Sequence, residues 1–153
     1  RNLVKNYRFI SRMDVIQAGI LNFRLKKLNT TIKKRRDNAN FYFKNIDNSF
    51  YKIIREKEYQ YNTYHTFVIQ TPKREKLIKF LSNNKVHTAI HYPIPIHLQP
   101  ASKYLNYKKG SFPKTESQSK KILTIPIHQN LTKSELKRIV SLLNNFAKKN
   151  KWV

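Results

Sequence analysis

The residues best suited to chemistry are concentrated in one stretch, residues 91–101, which reads HYPIPIHLQPA. It carries the imidazoles of His91 and His97 and the phenol of Tyr92. Three prolines fix φ and remove backbone donors, which excludes a helix and holds the segment extended. A stiff polar loop at the end of a strand is a favourable place for a functional site. The alternative is a rigid connection whose polar side chains simply face water.

The elements that must position this loop lie just before it. Residues 64–70 are rich in β-branched and aromatic residues and predict a strand, which Pro72 ends. Residues 73–84 have the spacing of an amphipathic helix, and the apolar run 86–90 predicts the next strand. Another short strand is expected at 51–54. The order strand, helix, strand indicates a small α/β sandwich.

The first third of the chain predicts helix. Ser11 is a suitable N-cap, and Asp14 places a carboxylate in the first turn. Apolar residues then recur at close to a 3.6-residue period, so that either one helix runs to about residue 48 or two helices meet near residues 29–31. The opposite face is expected to be solvated and carries Arg24, Lys26, Lys27, Lys33, Lys34 and Arg36.

The last third predicts two more helices around an apolar segment, residues 122–127. Pro113 suits the first position of a helix, and Glu116 lies in its first turn, where a carboxylate complements the helix dipole. Thr132 and Glu135 have the spacing of a capping box that opens the final helix. The core side of that helix is expected to carry Leu136, Ile139, Val140, Leu143 and Phe146.

The charge balance is extreme, with 32 Lys and Arg against 8 Asp and Glu and a net charge of +24. Such a balance points first to nucleic acid. The basic residues are nevertheless spread along the whole chain, and no zinc finger, RNP-type strand or KH-type loop accompanies them. A basic nucleic-acid-binding module therefore stays as the alternative function. A basic surface also favours a phosphorylated ligand.

Other classes of protein and site are excluded by composition. The 153 residues are the size of one domain, and the absence of cysteine excludes disulfides and agrees with a cytoplasmic location. His87, His91 and His97 have no nearby acidic ligand and no helical i, i+4 spacing, so no metal site is expected. Two glycines cannot build a glycine-rich phosphate loop. No apolar run reaches the roughly eighteen residues that indicate a membrane span.

Three stretches together carry a resemblance. They are residues 11–29, followed by Arg36, Ala39 and Tyr42; residues 63–105; and residues 110–136. The middle stretch is the most specific, with a His-Tyr-Pro loop followed by Pro-x-His-x-Gln-Pro. This set resembles the C-terminal part of the DegT/DnrJ/EryC1/StrS family of pyridoxal-phosphate-dependent nucleotide-sugar aminotransferases.

The resemblance implies the fold-type-I architecture, in which a large N-terminal domain carries the cofactor lysine and a smaller C-terminal α/β domain packs against it. The chain resembles the smaller domain: an α+β unit with a long N-terminal helix, a small sheet and flanking helices. Residues 1–48 would form the linking helical region and residues 49–153 the α/β subdomain. The implied reaction transfers an amino group, usually from glutamate, to a keto-sugar nucleotide, with pyridoxal 5'-phosphate as electron sink. Family members are generally homodimers.

The same resemblance assigns the candidate site residues. His91 and Tyr92 match the His-Tyr pair that borders the sugar-nucleotide pocket, where they would bond sugar hydroxyls or phosphate. His97 matches the later histidine and would orient or line the pocket. Arg12 would lie near the dimer-related site as a structural or phosphate-facing cation, with a salt bridge to Asp14 as the alternative. No catalytic residue is assigned, because no family motif surrounds any lysine of the chain.

One position departs from the family pattern at the start of the first helix. The family has Gly-x-Asn-x-Arg before a Gln-Ala pair, and its asparagine reaches the cofactor phosphate of the neighbouring subunit. These positions hold Arg8, Ile10 and Arg12, and an apolar Ile10 cannot donate to phosphate. The chain also begins without Met or a signal segment. We therefore expect a fragment, a split protein or a relic, and no transamination by the isolated chain.

Overall fold

Two helices, two strands, two helices, one strand and a final helix follow one another along the described part of the chain. The structure, a computed structural model, describes Leu3, Lys5 and residues 12–150. Two 3-10 turns, Ile96–Leu98 and Pro100–Leu105, lie within the proline-rich region, so the extended conformation predicted for residues 91–101 is wrong in the second half of that segment. The other elements are α1 (Val15–Leu25), α2 (Leu28–Asn45), β1 (Lys52–Ile53), β2 (Phe67–Gln70), α3 (Arg74–Asn83), α4 (Pro113–Ser119), β3 (Ile122–Ile125) and α5 (Lys133–Asn150). Helices beside a small sheet confirm the predicted fold class.

The sheet is antiparallel, with strand order β1, β2, β3. Val68 lies opposite Thr124 and Ile69 opposite Leu123, so the residues that predict β2 pair across the strands with those of β3. The backbone N–H of Thr71 continues this edge by donating to the carbonyl of Lys121 at 3.0 Å. Strand β2 is therefore central, between β1 and β3.

The prediction of a strand at residues 86–90 is wrong. Only Ala89 pairs with the sheet: it exchanges two backbone hydrogen bonds with Thr124, at 3.1 and 2.7 Å. The run begins as the exit of α3, because the Val86 N–H donates back to the carbonyl of Leu81 at 2.9 Å. Pro93 follows soon after Ala89 and has no N–H to extend a ladder. The apolar run is therefore divided between a helix exit and a single bridge.

The helical first third is two helices rather than one. The break lies at Lys26 and Lys27, a few residues before the predicted position, and Lys27 has the non-helical angles φ −106 and ψ 3. Helix α1 begins at Val15, later than expected, and Asp14 at its N-cap makes no side-chain capping bond. Ser11, the predicted N-cap, lies outside the described residues.

The core is a layer of apolar side chains between the sheet and helices α2, α3 and α5. Helix α5 buries Leu136, Ile139, Val140, Leu143 and Phe146, as its spacing predicts, together with Ala147. Its capping box is also confirmed: Glu135 N–H donates to Thr132 Oγ1 at 3.2 Å, and Thr132 N–H donates to Glu135 Oε2 at 2.8 Å. Sequence periodicity therefore predicts both the position of this helix and the side of it that is buried.

Two buried tyrosines join the layers through polar bonds. The Tyr42 hydroxyl donates to the carbonyl of Pro126 at 2.7 Å, and the Tyr51 hydroxyl donates to that of Leu143 at 2.9 Å. Burial raises the pKa of both phenols, so each stays protonated and keeps its donor role. These bonds tie α2 to the end of β3 and the segment before β1 to α5.

One basic residue of the predicted solvated face is not solvated. Arg36 forms a two-pronged ion pair with Glu56 at 2.6 and 3.0 Å and also donates to the carbonyl of Asn62. This hydrogen-bonded pairing lowers the pKa of Glu56 below its ordinary value. Neighbouring Arg35 donates to the carbonyls of Tyr64 and His65. These two arginines therefore fasten the segment before β2 onto α2.

Candidate functional site

The loop 91–101 leaves the sheet at the single bridge formed by Ala89. His91 follows two residues later, and its Nδ1 lies 2.9 Å from the Oγ1 of Thr124 in β3. Because the Thr124 backbone holds Ala89 and its side chain holds His91, one residue of β3 sets the start of the loop. Tyr92 follows through a cis peptide bond, with its ring edge-on to His91 at 5.3 Å and 68% of its surface exposed.

The middle of the loop is braced by its own side chains. The Gln99 amide donates to the carbonyl of Ile94 at 3.3 Å, and the Ser102 hydroxyl donates to that of Ile96 at 2.7 Å. Gln99 and Ser102 are both buried, whereas Ile96 is 75% exposed. Pro100 opens the second 3-10 turn at the position where a missing N–H costs nothing. The loop is therefore stiff for reasons beyond its prolines.

His97 has a partner inside the chain. Its Nε2 lies 3.0 Å from Oε1 of Glu116 in α4, and only 8% of the His97 side chain and 12% of the Glu116 side chain are exposed. The Phe112 ring packs on the imidazole at 4.8 Å between centroids, and Tyr107 packs edge-on against Phe112 at 5.0 Å. This cluster shields the pair and fixes the ring of His97.

Glu116 also organises the turn before α4. It accepts the N–H of Gly110 at 2.8 and 3.0 Å and that of Phe112 at 3.3 Å. Gly110 has a φ of 97°, which residues with a Cβ rarely adopt, and this conformation aims its N–H at the carboxylate. Desolvation raises the pKa of Glu116, but the bonds from Gly110, Phe112 and His97 outweigh it, so the pKa lies below its ordinary value.

The candidate residues thus take different positions. Tyr92 presents its ring to solvent, His91 is exposed beside Thr124, and His97 turns inward to Glu116. Arg12 is 93% exposed, and its Nε lies 3.8 Å from Asp14 Oδ1, which matches the salt-bridge alternative. An exposed pair of this length adds little stability. Ile10 and Arg8, where the family pattern is broken, lie outside the described residues.

The described residues do not by themselves fit pyridoxal phosphate. Covalent attachment needs a lysine amine in a shielded pocket, yet every described lysine is exposed except Lys73, which is half-buried. The Nζ of Lys73 donates to the carbonyl of Asn150 at 3.0 Å. Among residues 12–150, no cluster of histidine and acidic side chains has the arrangement of a metal site. No step of cofactor chemistry can therefore be assigned to these side chains.

A cavity of about 540 Å³ lies on the other face of α4, between that helix and the edge of the sheet. Its lining includes Lys52, Lys114, Lys121, Thr71 and Gln118, and none of the loop residues 91–101. The helical step of about 100° per residue places Lys114 and Gln118 opposite Glu116. This cavity is therefore separate from the loop.

Two supporting residues of the loop were missed at the level of sequence. Thr124 is one residue of an apolar strand, and nothing local links it to His91. Glu116 is recognised only as a first-turn carboxylate, although it holds His97, which lies 19 residues away. The sequence offers one signal here: a glycine, an aromatic residue and a glutamate follow one another within residues 110–116.

Several curated proteins are similar to this chain. It is 32% identical over 137 residues to the dTDP-3-amino-3,6-dideoxy-alpha-D-galactopyranose transaminase of Aneurinibacillus thermoaerophilus, covering 90% of this chain and 37% of that protein. It is 30% identical over 139 residues to the pleiotropic regulatory protein of Geobacillus stearothermophilus, covering 89% and 37%. The chain therefore spans little more than a third of the length of the relatives it matches.

Solved structures agree in fold. S. venezuelae DesV, in complex with a ketimine intermediate, superposes with a TM-score of 0.83 at 26% identity, covering 90% of this chain and 37% of that one. A DegT DnrJ EryC1 StrS aminotransferase from Brucella abortus superposes with a TM-score of 0.80 at 26% identity, covering 88% and 36%. The fold is therefore that of part of a fold-type-I sugar aminotransferase, which confirms the predicted architecture.

The comparisons give no support to the alternative of a nucleic-acid-binding module. The family described as the DegT/DnrJ/EryC1/StrS aminotransferase family matches residues 3–144, which is almost the whole chain and includes the loop and both of its supports. The resemblance read from three stretches of sequence is confirmed across that range. The chain belongs to the DegT/DnrJ/EryC1/StrS aminotransferase family.

Proposed function

We propose that this chain is the small C-terminal domain of an aminotransferase that transfers an amino group, from glutamate, to a keto-sugar nucleotide. The observation that carries the proposal is the family match over residues 3–144, with a curated relative named as a dTDP-sugar transaminase. The loop 91–101 would form one wall of the nucleotide-sugar pocket. Its stiffness suits this role, because a wall that is already ordered costs little entropy when the substrate binds.

The two halves of the loop would act differently. Tyr92 and His91 lie at the exposed end, where a phenol and an imidazole can hydrogen-bond sugar hydroxyls or phosphate. His97 would orient the loop rather than contact the sugar, because its ring is enclosed by Glu116 and Phe112. The basic surface of the chain would attract the diphosphate of the nucleotide.

The cofactor and its lysine would belong to the part of the family that this chain does not span. Pyridoxal phosphate supplies the electron sink when bound, and this chain would supply positioning and exclusion of water. Residues 1–48 would form the linking helical region and residues 49–153 the α/β subdomain. The whole protein would be a cytoplasmic homodimer, with Arg12 near the dimer-related site.

The decisive experiment joins this chain to the portion of the Aneurinibacillus transaminase that lies outside the match. We expect the fused protein to aminate a dTDP-keto-sugar with glutamate. The variant His91→Ala should raise the KM for the nucleotide sugar at least tenfold with a smaller change in kcat. His87→Ala, at an exposed histidine just before the loop, is the matched control and should change neither.

Two results would contradict the proposal. A folded fusion with no amino transfer to any nucleotide sugar would remove the aminotransferase role. Equal KM values for the His91→Ala and His87→Ala variants would remove the pocket role of the loop. The chain alone, mixed with pyridoxal phosphate, should show no change in the cofactor's absorbance beyond that of exposed lysines on a control protein.

A further inference from the structure

The cavity of about 540 Å³ between α4 and the sheet is bordered by three lysines, Lys52, Lys114 and Lys121. None of the described residues that line it is acidic. The one carboxylate of α4, that of Glu116, lies on the opposite side of the helix and accepts the Gly110 N–H. The three ammonium groups form no hydrogen bond or ion pair with any residue that the structure describes. Like charges around one cavity repel each other unless an anion lies between them.

The sheet and α4 bring these lysines together although they are far apart in sequence. In the antiparallel pair of β1 and β2, Lys52 lies directly opposite Gln70, and residues directly opposite each other point to the same face. On α4, Lys114, Ser117 and Gln118 are three and four residues apart and therefore share one side of the helix. All of these residues line the cavity, so this side of α4 faces that face of the sheet.

Hydrogen bonds to the backbone hold the walls of the cavity in place. The N–H of Thr71, at the end of β2, donates to the carbonyl of Lys121 at 3.0 Å. The Nη1 of Arg74, at the start of α3, donates to the carbonyl of Ser119 at the end of α4, at 2.6 Å. The end of α4 is therefore fastened to both β2 and α3, and the cavity exists before any ligand enters it. A site that is already ordered costs little entropy when a ligand binds.

The floor of the cavity holds a polar side chain without a partner. Gln70 is only 9% exposed, yet its amide makes no hydrogen bond with another described residue. Among residues 12–150, no side-chain nitrogen or oxygen is both fully buried and unpaired, so the amide keeps a small accessible surface. Gln70 also borders a neighbouring cavity of about 190 Å³, whose described lining includes no lysine. An unpaired amide N–H₂ beside three ammonium groups is suited to an anion that accepts hydrogen bonds.

The groups that line the cavity define a class of ligand. The ammonium groups, the Gln70 amide and the hydroxyls of Thr71 and Ser117 can all donate hydrogen bonds, which phosphate oxygens accept. A phosphate group carries a charge of about −1.5 to −2 near pH 7, so three lysines balance two phosphates better than one. The volume of about 540 Å³ lies within the range of small-molecule sites, roughly 300–1,000 Å³.

We infer that this cavity is a binding site for a small compound with two linked phosphate groups, a diphosphate. The described lining of the cavity includes no residue of the loop 91–101, so the site is separate from that loop. The inference depends on the three lysines and the unpaired amide, and it does not depend on the proposed function.

The test measures binding of inorganic pyrophosphate to this chain by isothermal titration calorimetry, at fixed ionic strength and without divalent cations. We expect one site, and inorganic phosphate should bind at least tenfold more weakly because it engages fewer lysines. The variant with Lys52→Gln, Lys114→Gln and Lys121→Gln should weaken pyrophosphate binding at least tenfold. All three lysines are exposed, so the variant should unfold at the same temperature as the parent chain or slightly above it.

A matched control removes the same charge elsewhere. Lys33→Gln with Lys79→Gln and Lys137→Gln also replaces three exposed lysines, one each on α2, α3 and α5. This control should bind pyrophosphate within twofold of the parent chain, because it changes only the general attraction of a chain with a net charge of +24. Equal weakening by both triple variants, or by neither, would overturn the inference, as would failure of the parent chain to bind pyrophosphate.

A second variant tests the amide on the floor of the cavity. Gln70→Leu replaces the amide with an apolar side chain of similar size, so pyrophosphate should bind about tenfold more weakly. The free energy of unfolding, measured with urea, should stay the same or rise, because the amide has no described partner to lose. Unchanged binding would mean that exposed lysines alone attract the anion, and it would overturn the inference.

Two further measurements locate the ligand and define its class. His91→Ala should leave pyrophosphate binding unchanged, and a tenfold loss would place the anion at the loop and overturn the inference. A single-stranded oligonucleotide should bind the triple variant of Lys52, Lys114 and Lys121 within threefold of the parent chain, because it contacts the whole basic surface. A tenfold loss of oligonucleotide binding would indicate a nucleic-acid surface instead of a diphosphate site.

The outcomes separate this inference from the proposed function. Pyrophosphate binding in the cavity without amino transfer by the fusion would overturn the proposed function and leave the diphosphate site intact. Amino transfer by a fusion whose chain does not bind pyrophosphate in the cavity would overturn the diphosphate site and leave the proposed function intact.

Discussion

Helices α1 and α5 are both rich in apolar residues, yet they lie in opposite environments. Helix α5 buries six residues against the sheet and α2, whereas α1 buries none. The difference follows from the placement of polar residues: α5 is charged along one side, and α1 is interrupted only by narrow seams. A helix with one apolar face can bury that face within the chain, while a helix with two apolar faces needs more protein around it than these residues supply.

The largest effect should come from truncating the centre of α5. Leu143 is fully buried, so Leu143→Ala should lower the free energy of unfolding by about 2–5 kcal/mol through lost burial and a residual cavity. Urea unfolding followed by circular dichroism measures this change. A loss below about 1 kcal/mol would mean that α5 is not the principal packing helix of the core.

Acid should weaken the regions that have internal partners and leave α1 unaffected. The pKa values of Glu56, Glu116 and Glu135 are lowered in the folded state by hydrogen bonds from Arg36, from the Gly110 and Phe112 N–H groups with His97, and from Thr132. Their stabilisation is complete above the ordinary carboxyl value of 4.5 and is lost as pH falls through the lowered folded-state values.

Thermal unfolding between pH 7 and pH 3 tests this expectation. The midpoint temperature of unfolding should decrease once the pH falls below about 4.5. The decrease should exceed that expected from one helix cap, because three carboxylates contribute to it. Glu116→Gln should make the midpoint temperature depend less on pH, while Glu58→Gln, at an exposed acid, should leave that dependence unchanged. A midpoint that stays constant down to pH 3 would contradict the role of these carboxylates. Helix α1 has no acidic residue, so its amide exchange should not follow pH beyond the intrinsic chemical rate.

Substitutions at the N-terminal ends of α5 and α1 should differ by a smaller amount in their effect on the free energy of unfolding. Thr132→Ala removes the capping box of α5 and should cost about 1 kcal/mol. Asp14→Ala, at the start of α1, should cost well under that, because Asp14 makes no capping bond with its side chain. Chemical unfolding of the two variants side by side decides the matter. Equal costs would show that α1 is held at its start in a way the structure does not describe.

The smallest effect is expected within α1 itself. Ile20 is 53% exposed, so Ile20→Ala should change the free energy of unfolding of the isolated chain by less than about 0.5 kcal/mol. Chemical unfolding under the conditions used for Leu143→Ala gives the comparison directly. A loss of 2 kcal/mol or more would place α1 in the core of this chain and remove the contrast with α5.

Much of the fold was predictable because it depends on local pattern. The period and capping box of α5, the proline that opens α4 and the β-branched run of β2 each carry their signal within a few residues. The run 86–90 has the composition of a strand, but its pairing depends on where α3 ends and on the proline that follows. The break between α1 and α2 falls at two lysines that carry no recognised stop signal.

The candidate site was only half predictable. The loop 91–101 is visible in sequence as a polar segment fixed by prolines, and its likeness to the aminotransferase family names the residues of interest. The direction of each side chain is not visible. His97 turns to Glu116 and His91 to Thr124 because residues 19 and 33 positions away in sequence are brought beside them.

The sequence by itself determined the fold class, the family, the final helix and the stiffness of the loop, because each follows from spacing or motif along a continuous stretch. Only the tertiary structure decided which histidine faces inward, that Arg36 is an internal ion-pair partner, and that α1 lies uncovered. Those properties depend on contacts between residues far apart in sequence, or on their absence. The sequence therefore predicts that α1 is an apolar helix, and the fold shows that the described chain leaves it without a core.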